Sequence, residues 1–247
     1  MELAALALAP GLALGSFLNV VAARVPRRVS IVTPASACLA CKAPIEWRDN
    51  IPLVSWVLLR GRCRSCGTPI SPLYPAVELS TALLVAACVL EFGLSAEMLV
   101  ASFFCAVLVA VTATDLTHRI IPNRIVLPAF VVIVVAQTLI EPSPQWVLGA
   151  LAASGFLFLA VLAYPAGMGM GDVKLALVMG AALGKTVPVA LMLGMFSALV
   201  PAVFLLARHG SKARKMGIPF GPFLALGSVV ALFAGDQIVD WYLALLG

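Results

Sequence analysis

The sequence predicts an all-α polytopic membrane protein of about eight transmembrane helices, with one small cytosolic loop module. Three observations lead to that reading. Hydrophobic residues make up 62% of the 247 and charged residues only 11%, with a mean hydropathy of +1.09; a soluble domain carries about 25% charged residues. The apolar residues fall in runs close to the ~20 needed to cross a bilayer core of about 30 Å. No strand-like alternation accompanies them, and backbone without access to water closes its hydrogen bonds within helices.

The runs are 3–23, 74–90, 96–114, 125–140, 146–164, 173–183, 187–207 and 220–241. The run 173–183 is short for a span, so a count of seven follows if it continues into 187–207. The first run does not read as a cleaved signal peptide. Met1-Glu2 carries no basic residue before it, and Arg24, Arg27 and Arg28 follow it. That order of charge puts the N-terminus outside. With eight spans the inside segments are 24–72, 115–124, 165–174 and 208–217, and they hold 15 of the 16 Lys and Arg residues. The net charge of +5 is therefore topology-setting loop charge, and the expectation is a protein that contacts membrane lipid and no nucleic acid.

Segment 24–72 is too small to bury a large core and needs a staple. Cys38-Leu39-Ala40-Cys41 and Cys63-Arg64-Ser65-Cys66, separated by 21 residues, supply one. Four thiolates in this pattern fit a structural, tetrahedral Zn²⁺. Redox or disulfide chemistry is the alternative, and a cytosolic location disfavours it. Cys88 and Cys105 lie inside apolar runs and read as small core residues. Trp47, Asp49, Trp56 and Arg60 form either the core of the module or a groove.

The remaining chemistry lies in two carboxylates. Asp172 sits between the glycine-rich 167–171 and an apolar run, and Asp115 ends another run. Ionisable groups at membrane depth are costly and mark functional sites by default. Two at equivalent depths suit a pair that shares a proton, one acting as base on water and the other as acid toward a carbonyl. Gly169 and Gly171 allow close approach of a substrate strand. Asp172 also reads as a helix cap, and Asp115 as a helix-boundary residue. An ion- or proton-relaying transporter and a non-catalytic zinc scaffold are competing readings of the same residues.

Several segments together carry a resemblance. Gly169-Met170-Gly171-Asp172-Val173-Lys174 fits a GxGDxK pattern, and Asp115 is followed by Ile121-Pro122-Asn123. Gly15-Ser16-Phe17-Leu18-Asn19-Val20-Val21, residues 50–56 and residues 69–78 complete the set in order. The chain resembles the prepilin peptidases, the type IV leader peptidase family of GxGD intramembrane aspartic proteases.

The resemblance implies catalytic Asp115 and Asp172, supported by Gly169, Gly171 and Lys174, with Glu78 as a candidate substrate contact. It implies cleavage of the basic leader of prepilins or pseudopilins after a glycine, at the cytosolic face of the bacterial inner membrane. With both CxxC pairs present, it also implies methylation of the new N-terminus from S-adenosylmethionine; no residue is assigned to that donor. The expected division is a first helix at 1–23, the zinc loop at 24–73 and a protease domain at 74–247.

Overall fold

The computed structural model describes residues 2–165, 168–210 and 217–246; Gly167 and the basic residues of 211–216 lie outside the described residues. The long helices are α1 (Glu2–Arg24), α3 (Leu73–Phe92), α4 (Ala96–His118), α5 (Asn123–Ile140), α6 (Gln145–Ala163), α7 (Met170–Leu183), α8 (Val187–His209) and α9 (Gly221–Leu246); α2 (Val54–Leu58) is a short helix in the loop. Among the described residues the only β-type pairings are two isolated bridges. The chain divides into two compact units, Met1–Met98 and Leu99–Gly247.

In the first unit α1 and α3 pack antiparallel in a constant register. Gly11 faces Ala82, Gly15 faces Glu78, and the Asn19 side-chain amide donates to the Tyr74 carbonyl at 3.1 Å. A Cβ on Gly15 would stand 2.6 Å from the Glu78 Cα. Small residues four apart let two apolar helices approach closely where no hydrophobic drive separates protein from lipid. Ala4, Ala86 and Val89 continue the seam.

The loop between them contains two turns of the same form. Residues 38–45 and 63–70 both read Cys-x-x-Cys-x-x-Pro-Ile. Cys38 N–H donates to Ala43 and Lys42 N–H to Cys38; Cys63 N–H donates to Thr68 and Gly67 N–H to Cys63. Each turn is closed by a bridge, Ala37 to Pro44 and Arg62 to Pro69. The positive φ each turn requires falls on Lys42 (61°) and Gly67 (70°). Trp56 belongs to the inside of the module, its indole N–H donating to the Ile70 carbonyl at 3.2 Å, whereas Trp47 is 83% exposed. The residues read together in the sequence thus part ways.

The second unit has a continuous core from α4 to α9, with Phe104, Leu108, Ile133, Leu157, Leu175, Met179 and Leu224 fully enclosed. Helix α7 lies against α5 and α6. A Cβ at Gly180 would collide with the Gly149 carbonyl of α6, so the glycine sets the spacing. Among the described residues seven helical stretches are long and apolar enough to cross a membrane, with α7 and α8 counted as one. This agrees with the sequence-based reading of about eight helices, or seven if the run 173–183 continues into the next, because α7 has only 14 residues. It is joined through a 3₁₀ turn, Gly184–Thr186, to α8 in one stretch, Met170–Arg208, of 39 residues. That stretch is not straight. Thr186, Ala190 and Gly194 meet Gly235, Gly227 and Leu224 in turn, so α8 runs antiparallel to α9. Cys88 and Cys105 are buried, as small apolar side chains in a helix core are.

Candidate active site

Asp115 occupies the last full turn of α4. The helix ends at His118, and Arg119 adopts φ 54°, its N–H donating to the Asp115 carbonyl at 2.9 Å. A residue in this left-handed conformation stops a helix by satisfying a terminal carbonyl. Pro122, with no N–H, precedes the first residue of α5 and keeps the two helices distinct.

Asp172 is the third residue of α7. Gly169 is extended at the N-cap (φ −88°, ψ 155°), and its N–H donates to Asp172 Oδ2 at 3.1 Å. The carboxylate therefore ties back to the entering chain, the acidic half of a capping box. Gly171 packs on Ile121, where a Cβ would sit 3.0 Å from the isoleucine Cβ. The turn bearing Asp172 is seated on the loop that follows Asp115.

The third contributor is the start of α9. Gly221 N–H donates to Asp115 Oδ2 at 2.9 Å. An added Cβ on Gly221 would stand 2.9 Å from that oxygen, closer than a carbon can approach without displacing the carboxylate. The N-terminal end of a helix carries partial positive charge and suits an anionic neighbour.

The two aspartates line one cavity of about 380 Å³, with Arg119, Ile121, Gly169, Gly171 and Phe220 among its walls. Asp115 is 6% exposed and Asp172 7%. Each carboxyl has Oδ2 tied to a backbone amide, and among the described residues Oδ1 of each has no hydrogen-bond partner. Two carboxyls facing one cavity, each with a free oxygen, can share a proton and pass it to or from a water and a carbonyl.

Gly169 and Gly171 line the cavity and Lys174 does not. Two residues beyond Asp172, Lys174 turns to the other side of the helix, and its ammonium donates to Asn123 Oδ1 at 3.0 Å. Glu78, in the first unit, is buried (8% exposed), and its Oε2 accepts from Leu53 N–H at 2.8 Å.

Sequence reasoning missed Arg119 and Phe220 in the cavity wall and the Gly221 amide on Asp115. In the sequence Arg119 reads only as loop charge. Gly221 is 106 positions from Asp115, and the one local signal is Gly-Pro at the head of an apolar run.

In the first unit the Sγ atoms of Cys38, Cys41, Cys63 and Cys66 all lie within 4.8 Å of one another, with Cys38 to Cys66 at 3.8 Å. A tetrahedron of Zn–S bonds near 2.3 Å has edges of about 3.8 Å, so the donor set fits a thiophilic ion. The Thr68 hydroxyl, 3.2 Å from Cys66 Sγ, and then the Thr68 N–H bring that thiol down to about 6. Backbone N–H groups of Cys41 and Ala40 lower Cys38. These contacts move two of the four thiols toward the thiolate form that a metal needs, while Cys41 is pushed up to about 11. Arg64, between the second pair of cysteines, forks onto Asp49 through three hydrogen bonds of 2.7 to 3.1 Å.

A pair of carboxyls held by apolar helices in one unit and a four-cysteine loop in the other define a class, and comparison with known proteins places the chain within it. The family model described as the bacterial peptidase A24 N-terminal domain matches residues 10–92. That described as the type IV leader peptidase family matches residues 102–203. The chain is 40% identical to a prepilin leader peptidase/N-methyltransferase of Bacillus subtilis, covering 94% of this chain and 95% of the relative. Proteins of the same description from Aeromonas salmonicida, at 36% identity, and Legionella pneumophila, at 30%, are each covered over 91% of their length, against 94% of this chain. The chain belongs to the type IV leader peptidase family. No solved structure matches it significantly.

Proposed function

We propose that this protein is a prepilin leader peptidase that cleaves its substrate with Asp115 and Asp172 and then methylates the new N-terminus. The observation that carries the proteolytic part is the shared cavity in which each aspartate is fixed by one backbone amide and keeps one oxygen free. One carboxylate takes a proton from water as the water oxygen attacks the scissile carbonyl carbon. The other, protonated, gives its proton to the carbonyl oxygen. Collapse of the tetrahedral species breaks the C–N bond: the nitrogen leaves with the proton held by the first aspartate, and the second takes back a hydroxyl proton, which leaves a carboxylic acid and restores the pair. No metal and no covalent intermediate enters this step. Gly169 and Gly171 leave room for an extended strand beside Asp172, and Lys174 supports the site from outside the cavity.

Zn²⁺ is the ion we assign to Cys38, Cys41, Cys63 and Cys66, as a structural ion that stabilises a loop too small to fold on an apolar core. The relatives are named as methyltransferases, which supports S-adenosylmethionine as the methyl donor; no residue here is assigned to it. Glu78 would meet a substrate amine only through Oε1, since Oε2 is taken by Leu53 N–H. The basic segments favour a cytoplasmic-membrane protein with its N-terminus outside and the loop, Asp115 and Asp172 on the cytosolic side. On this reading 1–23 anchors the loop 24–73, and 74–247 carries the cleavage chemistry on prepilins or pseudopilins with a glycine before the cut.

The test uses purified full-length protein, a prepilin and labelled S-adenosylmethionine. The expected result is loss of the leader followed by label on the new terminal amine. Label without cleavage, or neither product, counts against the reading.

A further inference from the structure

We propose that α2 is an interfacial anchor, its Val54, Val57 and Leu58 face lying in the acyl-chain boundary of an anionic lipid leaflet, with Arg60 and Arg62 reaching lipid phosphates. The inference is independent of the peptidase reading and rests on depth, exposure and charge within the first unit.

Depth comes from Glu78. The 20 residues of α3 span about 30 Å, the thickness of a bilayer core. Glu78 is five residues past Leu73, about 7.5 Å along that helix. Leu53 N–H, immediately before α2, is bonded to Glu78 Oε2 at 2.8 Å. Leu53 reaches it with φ 59° and ψ −51°, the strained turn in which Val54 N–H bonds back to the Pro52 carbonyl, a conformation costly for a leucine and held only where surrounding contacts fix it. The other end of the segment is also tied near α3, through the Trp56 indole and the Ile70 carbonyl. Because a helical side chain points back toward the start of its helix, Leu53 and the start of α2 lie level with the first turns of α3, where α3 enters the membrane.

Exposure points the same way. Ser55 is the buried residue of α2; its hydroxyl donates to the Arg48 carbonyl and accepts from Ile51 N–H. The opposite face carries Val54 at 51%, Val57 at 66% and Leu58 at 75% exposed, positions i, i+3 and i+4 on one side of a helix. Three aliphatic side chains so exposed at that depth meet hydrocarbon. Arg60 and Arg62 follow directly and are exposed, in a loop where basic residues outnumber acidic ones. An apolar face edged by arginines fits an anionic leaflet and repels a basic peptide.

Leu58→Trp in the full-length chain tests this, since a side chain 75% exposed gives up little packing. The protein is placed in vesicles of phosphatidylcholine and phosphatidylglycerol, with or without bromine on the upper acyl carbons. Retained metal at the four cysteines confirms the fold. The added emission, variant minus parent, should fall at least about two-fold in brominated lipid, and Arg60→Gln with Arg62→Gln should weaken that quenching in the anionic vesicles. Added emission indifferent to bromine and quenched by aqueous iodide overturns the proposal. Emission indifferent to both quenchers overturns it in favour of a protein contact.

Discussion

Gly221 N–H holds Asp115 Oδ2 at 2.9 Å across 106 positions of sequence, so the start of the last helix orients a carboxyl carried by the fourth. The same oxygen leaves no room for a Cβ on Gly221. Gly221→Ala should therefore move the carboxylate by a fraction of an ångström to an ångström while the helices stay packed. A displacement of that size costs catalysis up to about 10²-fold. Steady-state cleavage beside an unchanged unfolding temperature checks it; full activity would show that this amide is dispensable.

Lys174 ties the first turn of α7 to Asn123 at the head of α5, bracing the turn that bears Asp172 against the loop after Asp115. Lys174→Met should lower the cleavage rate with little change in substrate affinity. Asn123→Asp, which turns the contact into an ion pair, should keep activity. Equal rates in Lys174→Met and parent would assign the lysine to the lipid surface alone.

The Gly15 seam predicts a loss of stability confined to the first unit. Gly15→Leu places a side chain where the Glu78 Cα stands 2.6 Å from a bare Cβ. Overpacking of this kind costs about 1–3 kcal/mol, and more where backbone must part. The unfolding temperature should drop, and the Asn19 to Tyr74 contact should open to hydrogen exchange.

Metal removal and acid should act on the loop module. A chelator should unfold segment 24–72 and release one ion per chain, while the aspartate step keeps its intrinsic activity on substrate already bound. The Arg64 guanidinium holds the Asp49 carboxyl below its usual value, by hydrogen bonding and then by charge. With a folded pKa below the unfolded one, this clamp contributes fully above about pH 4 and is lost as pH falls through the depressed value. Arg64→Gln should remove that acid-sensitive part of the module's stability. An unchanged acid transition would mean the clamp contributes nothing.

Short-range chemistry was legible in the sequence, and long-range closure was not. Asp115, Asp172 and the four cysteines stand out because a charge or thiol cluster in so apolar a chain has few structural uses. The helices were legible because each run is long enough to need its own hydrogen bonds. The short helix α7 was legible as well: the break between the runs 173–183 and 187–207 is the 3₁₀ turn that separates its 14 residues from α8. The grouping of Trp47 with Trp56 failed because residue type does not tell which of two nearby indoles finds a carbonyl. The Gly221 amide was invisible for the same reason: it acts through backbone and has no side chain to mark it.

The most direct measurement is cleavage of a prepilin by the parent, Asp115→Asn and Asp172→Asn proteins in lipid, with folding and metal content verified for each. The account predicts that both variants keep the fold and the metal and lose cleavage by roughly 10³-fold or more, as removal of a general acid or base does. Near-parental cleavage in either folded variant would remove that residue from the pair and contradict the two-aspartate mechanism.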